Sequence, residues 1–248
     1  MVARRQFEFP KRSEWGYFAL LGFLGITLFQ WLQSKGLVTA QATTSAWIES
    51  TIPVFMALLG WLGLKERLGW IRIGGILLAA LGMLLVVSRG NLASLLVSGF
   101  GTPGDYLILA SALNWAVFSV LSRRGLKMHP ATLMMFYVML LGWLISSIVF
   151  FSGSDWMQIP HLTRAGWTGI AFLGIICSGL AYIAWYDALQ ALPAAQVGAF
   201  LYIEPIVTMF VAALILNEKI TLASLLGGGI ILLGVWIVNR PKMTRDNA

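Results

Sequence analysis

Long apolar runs broken by short polar clusters dominate the chain. Stretches at about 15–34, 42–63, 67–88, 104–122, 130–152, 165–187, 194–216 and 220–239 are each largely apolar, and roughly 20 such residues are what an α-helix needs to cross the hydrocarbon of a bilayer. The period-two alternation of a barrel strand is absent, since Ile76-Leu77-Leu78-Ala79-Ala80-Leu81 is apolar on every side. Helices are then the spanning form that leaves no backbone polar group unpaired in lipid. The expected fold is an all-α polytopic membrane protein with eight transmembrane helices.

The pattern also occurs twice. Residues 15–86 lie over 167–238 at a constant shift of 152, matching Trp15 with Trp167, Gly22 with Gly174, Pro53 with Pro205, Glu66 with Glu218, Gly75 with Gly227 and Gly82 with Gly234. Each copy has a Pro, a Glu thirteen residues on, a Gly nine after that and another seven further. Shared hydrophobicity alone would not produce that spacing. Equivalent spans are an odd number of helices apart and so cross the membrane in opposite directions, which makes the repeat inverted. Inverted hydrophobic halves point to a carrier that exchanges inward-facing and outward-facing states.

Composition agrees about the solvent: 58% of residues are hydrophobic and 11% charged, too little polar surface for a water-soluble domain of this length. With the N-terminus inside, thirteen Lys and Arg fall on the cytoplasmic side and four, Lys35, Arg89, Arg164 and Lys219, on the other. The positive-inside rule then places both termini in the cytoplasm of an inner or plasma membrane. The net charge of +7 is accounted for by loops facing anionic lipid, so the bilayer is the expected partner and nucleic acid is not. The basic segment before Trp15 lacks a cleavage site of small residues and is not expected to be a signal peptide. The lone Cys177 allows neither an internal disulfide nor a cysteine zinc site.

Pro53 or Pro205, Glu66-Arg67-Leu68 or Glu218-Lys219-Ile220, the Gly-spaced helix after each, and Gly104-Asp105-Tyr106-Leu107 leading into Ala112-Leu113-Asn114-Trp115-Ala116 together resemble the EamA-type branch of the drug/metabolite transporter superfamily. The resemblance runs from Trp15 to Val238. It implies two inverted five-helix repeats around a central cavity and the export of amino acids, metabolites or drugs. Residues 104–152 have no counterpart in the first half, so the first two helices of the family pattern are missing and the bundle is three helices plus five. A late-assigned start and a shortened chain that completes its cavity as a homo-oligomer both fit. The expected organisation is a cytoplasmic segment 1–14, an incomplete first repeat 15–88, an external loop 89–103, a second repeat 104–239 and a cytoplasmic tail 240–248.

Two carboxylates fall inside predicted spans, where a charge costs at least ~2.5 kcal/mol. Glu204 precedes Pro205, which is expected to kink its helix and bare backbone carbonyls to a cavity; the acid is read either as a substrate-amine or proton site or as a structural brace. Glu49 lies in the polar run Thr43-Thr44-Ser45 and Ser50-Thr51, with Pro53 four residues on. It is not the repeat mate of Glu204, which is Ile52, so the two acids are expected on opposite halves at different depths, and Glu49 is read either as a pathway residue or as an acid reaching water at its helix end. Gln30, Asn114, Trp115, Tyr182 and Tyr202 are further pathway candidates, with Trp185 and Tyr186 closer to interfacial anchors. Glu66 and Glu218 occupy tight turns at the start of the helices that follow them and are read as caps on those helices. Gly75, Gly82, Gly227, Gly228, Gly229 and Gly234 are read as close-packing positions.

Catalysis is not expected. His129 and His161 lie in loops and offer no base to Ser178, and no His-Glu metalloprotease motif or Gly-rich phosphate loop occurs. No metal or cofactor is implied. The sequence reads as a secondary transporter of small metabolites, proton-coupled if the acids titrate; the alternative is a truncated, non-transporting scaffold or oligomer subunit.

Overall fold

The computed structural model describes residues 10–64, 69–93, 101–126, 128–153, 155–181, 184 and 203–239, and all regular structure among them is helical. In chain order α1 is Arg12–Gly36, α2 Ala42–Glu49, α3 Ile52–Leu64, α4 Trp70–Val87, α5 Pro103–Leu126 and α6 Ala131–Ser152. A 3-10 segment, Asp155–His161, follows, then α7, Arg164–Leu180, α8, Glu204–Ile215, and α9, Leu222–Asn239. Among the described residues four helices are long and apolar enough to cross a bilayer: α1, α4, the Pro103–Ser122 part of α5, and α6. Their outer faces carry large apolar side chains, including Trp70, Ile71 and Leu77 on α4 and Trp143, Ile148 and Phe151 on α6. Apolar surface on this scale suits lipid rather than water.

The predicted span 42–63 is broken into α2 and α3. Pro53 has no N–H to give the carbonyl of Glu49 four residues back. The hydroxyls of Ser50 and Thr51 turn onto the carbonyls of Trp47 at 2.7 Å and Ile48 at 2.6 Å, and the helix restarts at Ile52 with Pro53 in its first turn. There the missing donor costs nothing. Pro205 holds the same place in α8, second after Glu204. Pro53 therefore stands at a helix start where the sequence reading had expected a kink; Pro205, read the same way, is in the first described turn of α8, and the residues before Ile203 lie outside the described ones.

The duplicated sequence repeats a local irregularity as well. α1 is π-helical over Phe23–Leu28 and α7 over Phe172–Leu180, and the 152-residue shift carries the first onto the end of the second. Nothing in the sequence pattern had signalled this, because the apolar periodicity of a π segment differs little from that of an α-helix over two turns.

The chain divides into two compact units, Met1–Thr27 with Ser122–Leu201, and Leu28–Leu121 with Tyr202–Ala248. Each draws on both repeats. In the first, α1 packs on α6 through glycine: a Cβ on Gly22 would lie 2.6 Å from the Gly142 nitrogen, and one on Gly142 would lie 2.6 Å from the Ile26 Cβ. Thr27 Oγ1 reaches the Gly142 carbonyl at 3.1 Å and Ser146 Oγ at 2.9 Å. Phe18 stacks on Tyr137 with ring centroids 5.6 Å apart, and His129 meets Glu14 at 3.2 Å.

In the second unit α4 and α9 run antiparallel with backbones in close approach. A Cβ on Gly75 would come within 2.8 Å of the Gly234 carbonyl oxygen, and one on Gly82 within 2.7 Å of the Gly227 carbonyl oxygen. The pairing is reciprocal under the 152-residue shift, since Gly75 is the mate of Gly227 and Gly82 of Gly234; contacts across a two-fold axis have this form. Ala79, Val86, Ile231 and Val235 fill the seam, and Trp47 of α2 and Met209 of α8 join the same core.

Candidate functional site

The break after α2 decides where Glu49 stands. It is the last residue of α2. Its side chain is half-buried, and the Gln33 amide of α1 donates to its Oε1. α8 packs against α2 and begins with Glu204, so the helices that carry the two acids are in contact. Each acid stays on its own repeat, as the sequence reading had it. They belong to one compact unit, because α8 of the second repeat packs on α2 of the first.

The dipoles of the two helices act oppositely on these acids. Glu204 is at a helix N-terminus, where free amides favour negative charge, whereas Glu49 is at a C-terminus, where the last carbonyls disfavour it. Among the described residues the His129–Glu14 contact is the ion pair present, and neither Glu49 nor Glu204 pairs with a Lys or Arg. The hydroxyls around Glu49 are occupied within α2 and its break. Ser45 donates to the Gln41 carbonyl at 2.9 Å, and Ser50 and Thr51 bond as described above. A ligand at this place would therefore meet the carboxylates first, and Glu204 is exposed.

Phe29 lies one helical turn before Gln33 on the same face of α1, and its ring stacks on Trp115 of α5 at 4.6 Å; Phe118 extends the stack at 5.1 Å from Trp115. Trp115 thus belongs to an aromatic cluster near the Gln33 face. Asn114 beside it is buried. Gln30 is exposed, and its carbonyl accepts from Ser34 Oγ at 2.7 Å. The amide that reaches the acid belongs to Gln33, a residue sequence reading missed; its one signal was polarity near the end of an apolar run. Tyr182, Tyr202 and Glu66 lie outside the described residues, as do Trp185 and Tyr186.

Glu218 is a cap, though not of the helix that follows it. Its Oε1 accepts the Ala42 N–H at 2.8 Å and its Oε2 the Thr43 N–H at 3.1 Å, which places the carboxylate on the N-terminus of α2. α9 is instead capped by Thr221, whose Oγ1 accepts the Ser224 N–H at 3.1 Å. The turn that aims Glu218 is built by Asn217 in the left-handed conformation, φ 55°, which asparagine tolerates; the Glu218 amide folds back to the Ala212 carbonyl at 3.2 Å.

Among the described residues no group of three or more His, Cys, Asp or Glu is arranged to hold a metal ion, and Cys177 is free and exposed. The EamA-like transporter family matches residues 1–88 and 102–240. An uncharacterized transporter of Archaeoglobus fulgidus is 30% identical over 92% of this chain and 77% of its own length. The "Probable terminal-alkyne amino-acid exporter" of Streptantibioticus cattleyicolor is 26% identical over 95% of this chain and 77% of its own. A protein crystal structure aligns with 96% of this chain and 81% of its own at a TM-score of 0.61 and 19% identity, a likeness of fold.

Proposed function

We propose that this chain, which belongs to the EamA-like transporter family, is a secondary exporter working by alternating access, with Glu49 and Glu204 at its substrate or coupling site. It is an integral membrane transporter of small molecules, not an enzyme. The observation that carries the site is the packing of α8, which begins with Glu204, on α2, which ends with Glu49. Interrupted helices whose ends meet inside the membrane are where carriers of inverted-repeat design place substrate and coupling ions. Carboxylates that pair with no Lys or Arg among the described residues need a counter-charge, which a proton or the ammonium group of a substrate supplies. The Phe29–Trp115 stack offers an apolar and π surface near it. An amino-acid-like cargo suits this chemistry, and one relative is named as an exporter of such a molecule.

The proposed frame is eight spans, three plus five, in two inverted repeats with both termini cytoplasmic. The repeated sequence, the paired π segments and the reciprocal glycine seam of α4 and α9 support it. A reporter fused after Ala248 and another at Arg123-Arg124 are expected to read cytoplasmic, and one within 89–103 external. A cytoplasmic signal from 89–103 would break the inverted arrangement.

The function itself is tested in proteoliposomes. Purified protein is expected to move labelled amino acids or small amines down their gradient faster than empty vesicles do, with uptake by everted vesicles corresponding to export. A folded, monodisperse protein that moves none of a panel of amino acids, amines and neutral metabolites would overturn the transporter mechanism and leave a scaffold.

A further inference from the structure

α2 is an eight-residue rod fixed along its length by the opposite repeat. At its first turn the Glu218 carboxylate takes the Ala42 and Thr43 amides. Midway, Trp47 Nε1 donates to Ser224 Oγ at 3.0 Å, and the indole fills the space over Gly228 that a Cβ would need. α8, which begins with Glu204, packs on α2 as well. The Ser50-Thr51 turn separates α2 from α3.

The first of these contacts is unusual in its origin. A helix is ordinarily capped by the residue just before it, and here that residue, Gln41, makes no side-chain cap. The task falls to a glutamate 176 residues away, while the helix next to that glutamate is capped by Thr221. Glu218 therefore serves no need of its own segment. We infer that Glu218 is a positioning residue of the transport cycle: its hold on the α2 N-terminus fixes the tilt of α2 and, through it, the place of Glu49 relative to α8, and the cycle proceeds by releasing and remaking that hold. This rests on the transporter reading for its purpose; the tether itself does not. The sequence repeats the glutamate at Glu66.

The experiment separates a tether from a cap by supplying a cap locally. In a Cys177→Ser background, Ser45→Cys places a thiol on a buried position one turn into α2, and its labelling rate by a small maleimide is followed in membranes. Glu218→Ala is expected to raise that rate at least about fivefold, as a shift of a two-state equilibrium toward the released arrangement. Glu218→Gln should fall between, since its one carbonyl oxygen replaces two. Adding Gln41→Asp to Glu218→Ala gives α2 an N-cap of its own. If Glu218 tethers, the double variant recovers its melting temperature in detergent while labelling stays fast. If the double variant recovers labelling together with stability, Glu218 is a cap alone and the inference fails; the same holds if Glu218→Ala melts early but labels at the parent rate. Because labelling needs no flux, a parent protein without transport activity would defeat the transporter reading and leave the tether result standing.

Discussion

Glu204→Gln is expected to cut substrate flux by roughly two- to thirtyfold while leaving expression and melting temperature near those of the parent. Glutamine keeps the shape and hydrogen-bonding capacity of glutamate but cannot carry charge. A hydrogen bond to a charged group is worth about 1.5–3 kcal/mol, against about 1 kcal/mol for a neutral one, and about 1.4 kcal/mol corresponds to a factor of ten. If Glu204 only braced the start of α8, the amide would be cheaper to desolvate than the carboxylate, and the change would be silent or slightly stabilising. Glu49→Gln should lower flux as well, and the double variant should cost less than the two losses combined, because residues sharing one ligand do not act additively. An unchanged rate and an unchanged pH profile in Glu204→Gln, measured in proteoliposomes, would remove this residue from the pathway.

Gly82→Leu is expected to prevent the α4–α9 seam from closing, with little folded protein recovered from detergent. A Cβ at this position would lie 2.7 Å from the Gly227 carbonyl oxygen and 2.8 Å from the Ile231 nitrogen. Both are backbone atoms of the facing helix, so no rotamer change relieves the contact and the helices must separate. Overpacking commonly costs about 1–3 kcal/mol, and a side chain forced against backbone belongs at or above the top of that range. Gly74→Leu on the same helix is the control, because nothing lies within 4 Å of a Cβ there. The two variants are compared by monodisperse yield and thermal denaturation; equal behaviour would mean that the seam does not hold the unit together.

The glycines show how far the sequence could be read. Their spacing in two copies marked α4 and α9 as helices that approach a neighbour closely, but it could not say that each was the other's neighbour, nor separate the positions in contact from those that are not. Gly75, Gly82, Gly227 and Gly234 lie in the seam, Gly228 receives the indole of Trp47, and Gly229 faces open space. The prolines were legible as interruptions, but whether Pro53 bends a helix or starts one depended on Ser50 and Thr51 turning back onto α2. Gln33 had no distinguishing mark beside Gln30, because one turn of the same helix separates an amide that meets a carboxylate from one that is exposed.

The sequence by itself determined the solvent, the helical class and the duplication and picked out two acids within apolar runs, since apolar run length, repeated spacing and the cost of a charge in hydrocarbon are properties of a segment and its immediate neighbours. The partners were decided by tertiary structure alone. Glu218 caps α2 across 176 residues, and the helix of Glu204 packs on the helix of Glu49 although neither acid is the other's repeat mate. Such contacts depend on which helices pack together and where each is broken, and two sequences with the same local pattern can settle that differently.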